Sequence, residues 1–510
     1  MSCEKNVGSA ALLQLGTFSK VDAFTKLNGA QSDMVNPFIP AWRRHVNFAL
    51  AQVEFSPNEP VSNLTTWGDD KVICARMPLC GSMIIQTYVR AKLGALSIPY
   101  DTIDRADDNS GAKDAKLYPG DAELTLHWCE EVGHAMFQHA DLLVDSSTID
   151  SVTDVHMHAY HQTISEAGQL LNDSIGRRRL DQVNSLPSNT PELETFSAID
   201  RQLYVPLPFL YSMQSPLLLP SSTGPTANGN IEVKLQLRAR QKLIVALDTS
   251  SGADLDSGAT KITSSVTGGA LLELAFVNDV VFLDTAEHER LYGSCVRGSQ
   301  PSLQYYEYSQ PLYEKPVAAG STSVQIENLN LRQAVTSIFA MFRPDTAIAE
   351  GKYNYFDFSV PLSTYQRPKR WSATGTAVAG LTAYIDPIAT IEYSLDGAPR
   401  FSRHGVYAHE SQARKHMKRI PTSFIHVHSH ALDASDRHEP SGSVDVDAHR
   451  RCPMTVTFTD VVQTVAEDIS GPYVAPAHVG VPAGKLFVFG RAQGLLEYGG
   501  GRGIRPYWTL

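Results

Sequence analysis

The chain is predicted to be all-β, with two consecutive antiparallel domains. Three observations carry this. Apolar residues recur at every second position in short runs rich in Val, Ile, Thr, Phe and Tyr, the spacing that puts alternate side chains on one face of a strand. Clusters of Gly, Pro, Asn and Ser separate these runs, which favours antiparallel pairing over alternating strand and helix units. The length of 510 residues exceeds what one core ordinarily serves, so two sandwich-sized domains fit.

Taken in order, the strand-like runs are KVICARMPLC, ADLLVDSSTID, IEVKLQLRARQKLIVAL, LLELAFVNDVVFLD, FIHVHSHAL and MTVTFTDVV. Helical pattern is sparse. One stretch, HAYHQTISEAGQLLNDSI from His158, places Ile164, Ala167, Leu170 and Leu171 on one face and predicts a helix there. A seam is expected around Leu237 to Gly269, where NIEVKLQLRAR is followed by the polar insert DTSSGADLDSGATKITSS. The expected division is therefore into two all-β domains that meet at 238/239. No short-period repeat occurs, which argues against propellers and solenoids.

Composition narrows the function. Hydrophobic residues make up 43% and charged residues 19%, enough to build a sizeable core. The formal net charge of −11 argues against nucleic acid as the main partner, since phosphate binding needs a basic face. The basic runs at Arg177 to Arg179, Arg367 to Arg370 and Arg414 to Arg419 read as solvated faces or subunit contacts. The cysteines, Cys3, Cys74, Cys80, Cys129, Cys295 and Cys452, form no CxxC pair and read as free thiols. The start lacks the length and cleavage pattern of a signal peptide, and no apolar run is long enough to span a bilayer. The sequons at Asn63 and Asn172 carry little weight without a secretory route.

Candidate chemistry centres on two histidine clusters. In FIHVHSHAL, His426, His428 and His430 alternate and would share a strand face, about 6.7 Å apart for neighbours and about 13 Å for the outer pair. One zinc ion could take two of them but hardly three, because its bonds to nitrogen are about 2 Å long. A cupin-like metal site would need a glycine before the His426 and His428 pair and a glutamate soon after it. The first glutamate that follows is Glu439, so the spacing is wrong. The second cluster, His156, His158 and His161, would sit at a strand–helix junction and lacks the HExxH order; it reads as polar loop histidines, with a metal site as the alternative. Asp445 and Asp447 alternate without further signs of a glycosidase pair. The glycines of EYGGGRGIRPYWTL have only seven residues after Gly503, too few for a helix to cradle a pyrophosphate. No nucleophile, base and orienting group assemble. The expectation is a protein that is not an enzyme, with no catalytic, cofactor or metal residues. The rival is a metal-dependent bicupin-like enzyme using His426 and His428.

Seven segments, read in order, resemble one family. FIPAWRRHVNFALAQVEF, MPLCGSMIIQTYVRAKLGAL, VGHAMFQHADLLVDSSTID, VPLPFLYSMQSPLLLP, AFVNDVVFLDTAEHERL, ATIEYSLDGAPRFS and HALDASDRHEPSGSVDVDAHRR are similar to successive motifs of the double jelly-roll major capsid proteins of nucleocytoplasmic large DNA viruses. Asp396, Gly397, Arg400 and Phe401 match the LNG-x-DRF motif, and Pro440 to Ser443 match PSG. Leu210 stands where the family has an aromatic after PLPF, EPSG replaces QPSG, and Asp445 replaces an asparagine. The resemblance implies two consecutive eight-stranded antiparallel jelly rolls with long decorated loops and few short helices. It also implies homotrimers with a pseudo-hexagonal outline that tile an icosahedral shell, alongside neighbouring capsomers and minor capsid and penton proteins. It implies as well that residues 1–35 form an arm that would face the capsid interior and could touch an internal viral membrane, ahead of a first roll over 36–238 and a second over 239–510. The implied location is the virion, with assembly in the cytoplasm of the infected cell. On this reading EPSG is a tight reversal between FIHVHSHAL and the next strand, with Gly442 supplying the flexibility.

Overall fold

A single strand order occurs twice along the chain. The computed structural model describes residues 47–507 apart from 98–123, 178–199, 219–229, 249–259, 288–301, 363–382, 464–476 and several shorter stretches. The principal strands of the first half are β1 (Phe48–Phe55), β2 (Val72–Arg76), β3 (Met83–Leu93), β4 (Phe137–Val144), β5 (Ser147–Thr153), β6 (Arg201–Leu207), β7 (Ile231–Leu237) and β8 (Leu271–Leu283). They pair antiparallel as β1–β8–β3–β6 and β2–β7–β4–β5.

The second half contributes β9 (Ser302–Ser309), β10 (Ser323–Ile326), β11 (Ala334–Pro344), β12 (Ile388–Leu395), β13 (Ala398–His404), β14 (His426–Ser429), β15 (Met454–Phe458) and β16 (Gly484–Tyr498). Their sheets run β9–β16–β11–β14 and β10–β15–β12–β13. Each position is taken by the counterpart of the strand that holds it in the first half. This is the jelly-roll order, found twice. Short strands widen one sheet of each roll, so the four main sheets hold six and four strands, then seven and four, beside four smaller sheets of two or three strands. The expected eight per roll is thus exceeded.

The seam lies later than 238/239. Strand Ile244–Asp248 pairs with Leu124–Trp128, and β8 inserts between β1 and β3. The first roll therefore runs to Leu283, because its last strand closes the sheet that its first strand opened. Phe55 of β1 stacks on Phe276 of β8 with ring centroids 5.2 Å apart. Residues 1–35, expected as an arm, lie outside the described residues. Phe48–Leu510 forms one unit with a continuous buried core.

Period-two patterning explains most strands. In β7, Ile231, Val233, Leu235 and Leu237 are buried while Glu232, Lys234 and Gln236 between them are half-buried. A strand with one covered face reads this way. β11 differs, being buried continuously from Val335 to Pro344. Both its faces are covered, so its sequence, AVTSIFAMFRP, shows little alternation. Fully buried rings such as Phe276, Phe339 and Phe342 each stabilise the fold by about 1.5–3 kcal/mol.

Helices are few, as expected. The first is the short α1 (Val132–Ala135) and the second is α2 (Asp154–Thr163). The latter starts four residues before His158, at the end of β5, where Thr153 caps it. Residues 165–171 of the expected helix lie outside the described residues. Cys74, Cys80 and Cys452 are free thiols and Cys129 is buried; Cys3 and Cys295 lie outside the described residues.

The stretch around EPSG is not a reversal. β14 pairs with Ala340 to Ser337 of β11, and Val444–Asp445 pairs further along the same strand, with Val335 and Ala334. The chain leaves the sheet edge after Ser429 and returns to continue in the same direction. Pro440 lies outside the described residues. Ser441 bonds back to Asp433, accepting from its backbone N–H at 2.9 Å and donating to its carbonyl at 2.8 Å.

Candidate functional site

The most concentrated set of chemically capable side chains lies where the two rolls meet, on α2 and its neighbours. Nine residues of α2 are buried, far more than the usual one-sided burial of a surface helix. Of its three histidines, His156 turns away from the other two, while His161 lies edge-on to His134 with ring centroids 5.8 Å apart. His156 binds Thr153 through Nδ1 and the Gln310 carbonyl of the second roll through Nε2 at 3.0 Å, with its ring edge-on to Phe489 at 4.3 Å. Burial pushes it down to about 4. His161 is pushed down to about 3, again mainly by burial. His158 turns its Nδ1 to Glu131 Oε2 at 2.7 Å. The expected cluster of His156, His158 and His161 therefore does not converge.

A different trio does. His134 on α1 also places its Nδ1 at Glu131 Oε2, 3.1 Å away. Arg177 Nε is 3.4 Å from the other carboxylate oxygen. Burial opposes the charge on Glu131, but the His158 imidazole and the hydrogen bonds from His134 and His158 outweigh it and hold the carboxyl well below its usual range. Glu131 adopts φ 50°, in the left-handed region, which is strained for a residue with a β-carbon. Beside the trio is a cavity of about 250 Å³, walled by Glu131, His158 and Arg177 of the first roll and by Phe356, Ser423 and Phe424 of the second.

The second roll also caps α2. Arg419 donates through Nε to the Gln162 carbonyl at 2.7 Å and through Nη2 to that of His161. Unsatisfied carbonyls at a helix C-terminus attract such a cation. Burial lowers Arg419 to about 10.

The His426 strand behaves otherwise. His426 binds Asp386 Oδ2 at 2.9 Å and is fully buried. His428 packs against Phe401 at 4.5 Å and edge-on to His430 at 4.6 Å. Burial pushes His428 down to about 3 and His430 to about 4. Among the described residues, no three potential ligands converge around this strand. Asp445 and Asp447 are exposed and accept from backbone N–H groups, Asp445 from Asp447 and Asp447 from Gln333.

The segments that carried the family resemblance meet in pairs. Asp150, closing VGHAMFQHADLLVDSSTID, accepts a 2.7 Å hydrogen bond from the backbone of Leu210 in VPLPFLYSMQSPLLLP. Asp396 and Gly397, at φ 48° and 82°, form the two-residue turn between β12 and β13, as Asp-Gly pairs do in hairpins. The Asp396 carboxylate then accepts from His449 Nδ1 and from the backbone of Arg450 and Arg451. These bonds, His449's first, hold it below its usual range. The motif residues are joints of the sandwich.

Comparison with known proteins agrees. Residues 38–284 match the family model described as major capsid protein N-terminus. Residues 299–478 match that of the large eukaryotic DNA virus major capsid protein. The boundary between the two matches falls between β8 and β9. Among solved structures, the PBCV-1 virus capsid is similar at 16% identity, with 93% of this chain and 100% of that chain covered and a TM-score of 0.63. The Faustovirus major capsid protein is similar at 12% identity, covering 96% of each chain, with a TM-score of 0.63. No curated protein sequence is similar enough to match. The chain belongs to the major capsid protein family of large eukaryotic DNA viruses, and its function is structural, as a capsid component of the virion.

Proposed function

We propose that three copies of the chain close into a trimeric capsomer whose six rolls give a pseudo-hexagonal outline, and that these capsomers tile the facets of an icosahedral shell. The observation that carries this reading is the repeated strand order, β1–β8–β3–β6 and β9–β16–β11–β14. Two rolls of like order but different sequence give one chain two unlike flanks, as the head-to-tail contacts of a closed ring require. Exposed Phe48, Leu50, Ile85, Tyr204 and Phe282, all on the β1–β8–β3–β6 sheet, support association through the first roll.

On the same reading, residues 1–35 form an arm toward the capsid interior, where they meet minor capsid proteins or an internal membrane. Assembly takes place in the host cytoplasm, with penton proteins at the vertices. The chain catalyses no reaction and does not bind the genome directly, in keeping with its net charge of −11. Light scattering coupled to size exclusion tests the core of the proposal. A particle of three times the 55.8 kDa chain mass is expected. A stable monomer at micromolar concentration overturns it.

A further inference from the structure

Glu131, His134 and His158 are the one group of three potential metal donors within 4.8 Å of one another among the described residues. Their side chains are each 2% exposed or less. We propose that they bind a divalent transition-metal ion of the zinc class, through Glu131 Oε2, His134 Nδ1 and His158 Nδ1, as a structural site at the junction of the two rolls.

Geometry is the first argument. Both imidazoles present Nδ1 to the same carboxylate oxygen, at 3.1 and 2.7 Å. An ion held at about 2.0–2.2 Å by three tetrahedral donors separates them by roughly 3.4 Å. The contacts must therefore open by well under roughly 1 Å, a shift that side-chain rotation supplies.

The surroundings are the second. His158 Nε2 lies 3.0 Å from Ser423 Oγ of the second roll. With the ion on Nδ1, that Nε2 carries the ring proton and donates to the serine, the outer contact that orients a ligating histidine. Phe356 stacks on the same ring at 4.5 Å, with an interplanar angle of 9°. The cavity beside Glu131 and His158 has room for a water as fourth ligand. Arg177 sits against Oε1 and leaves Oε2 to the ion. All three ligands belong to the first roll, and Ser423 and Phe356 pass the restraint to the second.

The test uses the full chain, incubated with Zn²⁺, desalted and measured by elemental analysis. About one ion per chain is expected. His134→Gln and Glu131→Gln should reduce it to background, while the double variant His426→Asn, His428→Asn should keep it. Titrating Co²⁺ into the wild-type chain needs no variant to fold, and ligand-field absorption of a four-coordinate nitrogen and oxygen site is expected. Folded wild type that retains no Zn²⁺ and shows no such absorption overturns the proposal. So does retained metal that disappears only when His426 and His428 are replaced.

Discussion

The Arg238 guanidinium of the first roll lies over the Tyr355 ring of the second, 3.8 Å from its centroid. The same guanidinium donates to Asp154 Oδ2 at 2.8 Å, at the start of α2, and Tyr355 donates its hydroxyl to the Lys242 carbonyl. One cation thus joins a helix start and an aromatic ring across the junction. Arg238→Met leaves the Asp154 carboxylate buried without its main partner, which should cost about 3–5 kcal/mol. Tyr355→Leu, which loses the cation–ring attraction and a hydrogen bond, should cost about 2–3 kcal/mol. Urea denaturation of both variants checks the order. Equal midpoints for wild type and Arg238→Met would show that the contact stabilises nothing.

Gly442 has φ 144°, and a β-carbon there would lie 2.9 Å from the His430 carbonyl oxygen and 3.3 Å from the Ala431 Cα. Gly442→Val therefore strains the point where the excursion rejoins the edge of β11. A loss of about 2–4 kcal/mol is expected, with a lower yield of assembled capsomer. Thermal melting and size exclusion read it out, and an unchanged melting temperature would refute the steric account.

Asp150 gives a pH signature. Burial raises its carboxyl from 3.8 to about 7, against the backbone N–H bonds of Leu210 and Ser151, which lower it. Between those values the folded chain holds a proton that the unfolded chain has released. Stability from this group is full below 3.8 and drains away as pH rises to about 7. Asp150→Asn should match wild type near the acid end and melt several degrees higher above neutrality. Melting curves across that range decide it; a benefit independent of pH would point to some other cause.

His428 and His430 act in the opposite direction. Burial holds them at about 3 and about 4 when folded, against 6.5 when unfolded. Below 6.5 the unfolded chain takes up protons that the native chain refuses, so stability falls as pH drops through that window. Neither ring nitrogen of His428 has a hydrogen-bond partner among the described residues. His428→Leu should accordingly gain most over wild type at about pH 5 and little at about pH 8. The gain should show in denaturation midpoints; a variant that loses equally at both pH values would contradict it.

Local spacing made much of this fold legible. The runs around β4, β7, β8, β14 and β15 all showed alternate apolar positions, and all are strands. The seam was misplaced because the polar stretch 248–265 reads as a linker. Nothing local indicates that β8, beyond it, returns to lie between β1 and β3. Pairing over such separations leaves no nearby signal. The histidines misled for a related reason. His156, His158 and His161 are close in sequence, yet the helix turns His156 toward Gln310 and away from the other two. His158 instead meets Glu131, 27 residues earlier. The Glu131 and His134 spacing of three, on a helical turn, was the available clue. At the His426 strand, alternation was read correctly only as far as Ser429, where β14 ends.

The adjacency of β1 with β8, and of β9 with β16, has a consequence for synthesis. A ribosome delivers the opening strand of each roll long before the strand that must lie beside it. The first sheet cannot be completed until Leu283 has left the exit tunnel, so β1 waits with its edge unpaired while more than two hundred residues follow. Nascent chains stalled short of that point should need chaperones. Those stalled beyond it can carry a finished first roll onto which the second is built.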